Sequence, residues 1–396
     1  MNHQHLSDLI RERLPGLTAV RQALHRQPEL AHREFETAAR VREQLAGLGL
    51  RVFDPFLKTD VVALLEGNSA GPNVTLRADM DALSVAEKSD LPYRSQVPGV
   101  SHACGHDGHT AMLIGAAQVL SRLRDSFRGT VRFVFQPGEE IVAGARDLIA
   151  QGILDDPAPD AILALHGWPG IAPGVVASRP GAMMAASDMF RITVKGKGAH
   201  GSMPEKSIDP ILTGARIVEA LQCIPGHRIA AVEPVVVSVG RFQGGSEVNV
   251  IPETATVEGT VRYLEREIGG QVARHLENLV KGTCLAMGAE FDLEYVRDYP
   301  PTHNDAALVG AAKKLVTELF GAEGWFDIAK PSMGSEDFSY FLRWGPGAMF
   351  RLGMGENSPL LHSPYYNFND AALERGIHFL VAMTLEKLAP DRNRRD

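Results

Sequence analysis

Cysteine is scarce in this chain. Three residues in 396, Cys104, Cys223 and Cys284, cannot build a disulfide framework, which excludes the small secreted scaffolds and fits a reducing compartment. Long apolar runs are missing too. No stretch is long enough to span a bilayer, and Met1 to Gly16 interleaves His, Asp, Arg and Glu with isolated leucines, without the continuous apolar centre of a signal peptide. Nor is there a surplus of basic charge. Lys and Arg number 40 against 48 Asp and Glu, a formal net charge of -8 with a pI near 6.0, so nothing neutralises the phosphates of a nucleic acid or an anionic membrane. The one basic cluster, Arg392, Arg394 and Arg395, reads as a solvated tail. These absences point to a soluble cytoplasmic protein with neither nucleic acid nor membrane as partner. At 396 residues and 44% hydrophobic content, two domains with substantial cores are expected.

What is present concentrates in Ser101-His102-Ala103-Cys104-Gly105-His106-Asp107-Gly108-His109-Thr110, where three imidazoles, a thiol and a carboxylate fall within ten residues. The apolar run from Ala111 through Leu120 has helical periodicity, which puts Cys104 and His106 in the loop entering a helix. Two residues apart they do not share a helix face, yet in a bent loop both can point at one ion. A redox thiol or a satisfied histidine cluster is the competing reading, but no resolving cysteine lies nearby. A second Cys pair for a structural zinc site is also lacking, so further ligands must come from elsewhere.

Read in order, helices are expected at Leu6 to Arg13, Leu17 to His25 and Glu36 to Leu48. The β-rich runs Val61 to Glu66 and Asn73 to Arg77, separated by a Gly67 to Gly71 turn, read as a hairpin or neighbouring strands. The second leads into Asp79 and Asp81, carboxylates at the strand end where open α/β sheets gather chemistry. A buried-strand pattern, Gly129 to Phe135, ends in Gln136-Pro137-Gly138-Glu139-Glu140, and another, Ala161 to Leu165, ends in His166. Held in a turn, one glutamate could bind a metal while the other faces a water. From Ala186 to Asp298 the order becomes βαββαβ, the ferredoxin-like unit. It is expected as an insertion (186–298) in an α/β domain made of 1–185 and 299–396. Its exposed sheet edge is a pairing surface, suggesting at least a dimer.

Cys104, His106, Glu140, His166 and His362 together supply borderline donors that suit one or two divalent ions such as zinc or manganese. Two ions roughly 3.5 to 4 Å apart can activate water at neutral pH, and Glu139, beside a ligand without being one, is the natural general base.

The segments Arg77-Ala-Asp-Met-Asp-Ala-Leu83, His102-Ala-Cys-Gly-His-Asp-Gly-His-Thr110, Gln136-Pro-Gly-Glu-Glu140, Gly198-Ala-His-Gly201, Asn249-Val-Ile-Pro252, Gly334-Ser-Glu-Asp-Phe338 and His362-Ser-Pro364 resemble, in this order, the M20 metallopeptidase family. The likeness is to its amidohydrolase branch of hippurate hydrolases, N-acyl-amino-acid amidohydrolases and auxin-conjugate hydrolases. It implies a mixed-sheet α/β catalytic domain of zinc-exopeptidase type with an inserted ferredoxin-like dimerisation lid. It implies two divalent ions per subunit (zinc or manganese, with cobalt also able to serve) held by Cys104, His106, Glu140, His166 and His362, with Glu139 as catalytic base. It further implies that His200 stabilises the oxyanion in the partner's site and that Asn249 and Arg262 hold the substrate carboxylate. Asp79 and Asp81 become candidates for orienting ligands, while Glu336 has no assigned role. The implied activity is hydrolysis of N-acyl amino acids by a homodimer, or by a homotetramer of paired dimers. A dipeptidase or deacetylase is the alternative, and a non-catalytic binder is disfavoured by the intact base and donors. Gly138 for the usual Ala, Ile141-Val142-Ala143 for a glycine-rich run, and Glu205 for a common His depart from the family pattern and bear on acyl-group preference.

Overall fold

The computed structural model describes residues 3–141 and 144–389. The basic tail at Arg392, Arg394 and Arg395 and two of the three departures after Glu140, Val142 and Ala143, lie outside them. In chain order the principal strands are β1 (Arg51–Val52), β2 (Val61–Glu66), β3 (Asn73–Asp79), β4 (Thr130–Gln136), β5 (Ala161–Pro169), β6 (Val176–Ser178), β7 (Ala186–Lys195), β8 (Val235–Gly244), β9 (Thr254–Tyr263), β10 (Glu290–Tyr299), β11 (Trp325–Asp327) and β12 (Gly347–Gly355). The principal helices are α1 (His3–Arg11), α2 (Leu14–Arg26), α3 (Phe35–Leu45), α4 (His106–Arg122), α5 (Gly144–Ala150), α6 (Pro210–Leu221), α7 (Arg266–Met287), α8 (Ala306–Phe320) and α9 (Leu373–Leu388).

Two compact units divide the chain. The first takes Met1–Gly181, His303–Lys330 and Asp337–Asp396, the second Ala182–Thr302 with Pro331–Glu336. The short return of Pro331–Glu336 to the second unit has no counterpart in the sequence-based boundaries, since six residues without periodicity carry no local sign of where they pack.

The first unit is an eight-stranded mixed sheet in the order β1-β2-β4-β3-β5-β12-β6-β11. At its centre β4, β3, β5 and β12 run parallel, so their carboxyl ends share one edge of the sheet. β3 is buried at all seven positions, as an interior parallel strand must be. The expected link between β2 and β3 is not a hairpin. β4 lies between them, antiparallel to β2 and parallel to β3. α4 is buried from His106 through Ala117 and packs with α9 and α2 on one face.

The second unit is a four-stranded antiparallel sheet, β8-β9-β7-β10, the ferredoxin-like order. Alternation along β9 buries Ala255, Val257, Val261 and Tyr263, and α7 presents Val272, Leu276, Val280 and Cys284, a strict four-residue stripe onto that face. Asp209 caps α6 by accepting from the Ile211 and Leu212 amides, ahead of Pro210 at the first turn.

Candidate metal centre

Two strand ends and two loops bring the donors together in the first unit. Gly105, in the left-handed region at φ 87°, turns the chain sharply enough for Cys104 to precede, and His106 to open, α4. Sγ of Cys104, a ring nitrogen of His106 and a carboxylate oxygen of Glu140 lie within 4.8 Å of one another. Nε2 of His166 is 3.5 Å from Cys104 Sγ, and Nε2 of His362 is 3.4 Å from Glu140 Oε1. All five sequence-identified donors thus converge. His362 sits at φ 63° and its amide donates to the Ala103 carbonyl at 2.8 Å, which ties its loop to the Cys104 loop. Glu139 is buried beside Glu140.

Asp81 organises two of these donors. Its Oδ1 faces His106 Nδ1 at 3.2 Å and its Oδ2 accepts the Glu140 amide at 3.0 Å, so His106 presents Nε2 inward. His166 is fixed likewise, Nδ1 donating to the Gly167 carbonyl at 2.7 Å. His106 Nε2 and Glu140 Oε1 are buried without a hydrogen bond, a condition proteins avoid unless a ligand completes it. Soft sulfur, imidazole nitrogen and carboxylate oxygen around two orphaned inward atoms fit a borderline divalent cation.

Electrostatics agree. Burial, then Glu140 and Glu139, push the Cys104 thiol well above its usual range, and a divalent cation is the natural means of reversing this. Burial would lower the His106 imidazole, but Asp79, Asp81 and Glu140 raise it to about 10, a measure of how much negative charge surrounds it. Burial and His109 hold His166 well below its usual value, neutral and able to ligate.

His109 and the Arg77 network were not assigned from sequence. His109 faces Asp79 at 2.6 Å through Nδ1 and accepts the Gly167 amide at 2.7 Å through Nε2. It lies near His106 and His166 yet is already saturated. Its spacing of three from His106 on α4 was the available signal. Arg77 donates to Asp79, Gln136 and Asp337 at 2.7, 2.8 and 2.7 Å. Asp337 also accepts from Gln136 and from the Ala145 amide at 2.7 and 2.9 Å, so β3, β4 and the start of α5 are locked around the Glu139–Glu140 turn. Gly138 in that turn has φ 68°, and a Cβ there would lie 2.8 Å from the His32 ring, which accounts for glycine at this position.

The remaining candidates belong to the second unit. His200 pairs in register with Val250, next to Asn249, whose carbonyl accepts the Gly201 amide at 2.7 Å. The exposed His200 ring is held by Ser202 at 2.8 Å. Arg262 stands apart from them on β9, donating to Ser335 Oγ at 2.8 Å.

Residues 75–386 match Peptidase family M20/M25/M40, and the chain belongs to that family. It is 38% identical over 368 residues to the N-acetyl-L-cysteine deacetylase of Bacillus subtilis, covering 92% of this chain and 86% of that one. It is 35% identical over 380 residues to IAA-amino acid hydrolase ILR1-like 4 of Arabidopsis thaliana, covering 94% and 86%. The solved structure of a dinuclear metal binding peptidase of the M20 family from Bacillus subtilis superposes with a TM-score of 0.84 at 34% identity, covering 96% and 99%. Among the described residues no helix is long and apolar enough to cross a membrane.

Proposed function

We propose that this chain is a metal-dependent amidohydrolase that cleaves N-acyl amino acids to a carboxylic acid and a free amino acid. One observation carries the reading: Cys104, His106, Glu140, His166 and His362 converge with two inward donor atoms unsatisfied. These five residues would hold two divalent ions, zinc or manganese, with cobalt a competent substitute. Bound there, the ions supply a Lewis acid for the amide carbonyl and a water of lowered pKa. Glu139 takes the proton of the attacking water and passes it to the leaving nitrogen. Asp81 and Asp79, with His109, keep the ligating nitrogens aimed inward. His200 stabilises the oxyanion in the partner's site, and Asn249 and Arg262 hold the substrate carboxylate. The second unit acts as a dimerisation lid, in a cytoplasmic homodimer or a tetramer of dimers.

The N-acetyl-L-cysteine deacetylase and IAA-amino acid hydrolase names of the relatives support an acyl group on an amino acid nitrogen, and the peptidase name of the structural neighbour keeps a dipeptidase as the second reading. The test is turnover of hippurate, N-acetyl amino acids and dipeptides by metal-free protein reconstituted separately with zinc, manganese and cobalt. Metal-dependent release of amino acid from an N-acyl substrate, lost in Glu139→Gln with metal content retained, is the expected result. Rates on dipeptides alone, or a Glu139→Gln rate near wild type, would overturn the substrate or the base.

A further inference from the structure

Among the described residues, four arginines are buried in the first unit, and three have polar partners. Arg21 meets Asp107 and Asp370, Arg77 meets Asp79 and Asp337, and Arg132 donates to Asn73, Thr75 and the Pro157 carbonyl. Arg351 differs. It is 7% exposed, and its buried Nε and Nη2 make no hydrogen bond among the described residues. Its guanidinium instead lies 3.4 Å from the centre of the Trp168 ring. Burial alone lowers its pKa to about 10, with no acidic neighbour to offset the cost. A buried charge without a partner is expensive, and stacking on an indole recovers only part of that.

Its location gives the expense a purpose. Arg351 is in parallel register with His166, and the Trp168 ring is 5.7 Å from the His166 ring. The guanidinium therefore lies at the carboxyl end of the central strands, where open α/β sheets bind ligands. Trp168 lies against the guanidinium, and on its N–H edge, the fork that matches a carboxylate, Nε and Nη2 are buried with no hydrogen-bond partner among the described residues.

We infer that Arg351 is a substrate-anchoring residue that binds a carboxylate of the N-acyl amino acid beside His166. The inference rests on the amidohydrolase reading. The carboxylate has two sources, the α-carboxylate of the amino acid, which Asn249 and Arg262 would then not hold alone, or a second one on its side chain, and the chemistry of recognition is the same for both.

The test compares kcat/KM of wild type, Arg351→Met and Arg351→Lys on two pairs of substrates. N-acetyl-L-methionine against its primary amide reads the α-carboxylate, and N-acetyl-L-glutamate against N-acetyl-L-glutamine reads the side chain. Arg351→Met should shrink the charged-over-neutral preference at least tenfold in one pair, which identifies the source, and Arg351→Lys should recover part of it. Unchanged preference in both pairs, or loss of metal by elemental analysis in step with activity, would overturn the inference. If wild type turns over none of the four, the amidohydrolase reading fails and a second measurement decides Arg351. Glutarate titrated into the protein should then give a saturable change in tryptophan fluorescence from Trp168 that Arg351→Met abolishes. No saturable change in wild type, or one that persists in the variant, overturns it.

Discussion

His109 Nε2 accepts the Gly167 amide at 2.7 Å. With that lone pair engaged, its Nδ1–H must donate to Asp79, so one tautomer is fixed and the ring braces the strand end that carries His166. His109→Phe leaves both the Gly167 amide and an Asp79 oxygen without this partner, and His166 loses its fixed direction. Metal affinity should fall about 10- to 100-fold, as for other residues that orient ligands from behind. Chelator competition measures this directly, and unchanged affinity would make His109 a packing residue.

Cys104→Ser replaces a soft donor with a hard hydroxyl while keeping the side-chain size. If the thiol ligates, retained metal after dialysis should drop at least tenfold for zinc and less for manganese, which tolerates oxygen donors. Elemental analysis of the dialysed variant is the readout. Full stoichiometry with both metals would remove the thiol from the donor set.

The convergence of five donors was legible because their residue types are costly in an apolar core and each stands just past a buried-strand pattern or in a loop. The topology was less legible. The Gly67 to Gly71 spacing suggested β2 beside β3, yet β4 enters between them from more than fifty residues away, and local periodicity carries no trace of such pairing. The Arg77–Asp337 contact joins positions 260 apart. Arg351 escaped notice for the opposite reason, since a single arginine inside an otherwise apolar strand gives no sign of whether it is paired.

Arg77 and Asp337 are both buried, so removing one partner strands the other. Asp337→Ala leaves the Arg77 guanidinium, the Gln136 amide and the Ala145 amide each short of an acceptor. A loss of about 3–5 kcal/mol is expected for breaking such a buried pair, seen as a large drop in melting temperature. The turn carrying Glu139 and Glu140 should loosen first, giving weaker metal binding below the melting transition. A variant with near-native melting would mean that the network is dispensable.

Glu34 links pH to the same turn. It is fully buried, with Thr59 donating to one carboxylate oxygen at 2.8 Å and the Gly138 amide to the other at 3.0 Å. Burial raises its pKa from 4.5 to about 7. Between these values the unfolded chain has released the proton while the folded chain still holds it, so this group's contribution to stability falls as pH rises from 4.5 and levels off above 7. Glu34→Gln keeps an acceptor for the Gly138 amide and does not titrate. In metal-free protein, its stability relative to wild type should therefore climb by roughly 3–4 kcal/mol over the full titration, the shift from 4.5 to about 7 converted at about 1.4 kcal/mol per unit. Paired melts at pH 5 and pH 8 measure it, and a difference that stays constant between them would show that Glu34 ionises in the folded protein as it does in the unfolded chain.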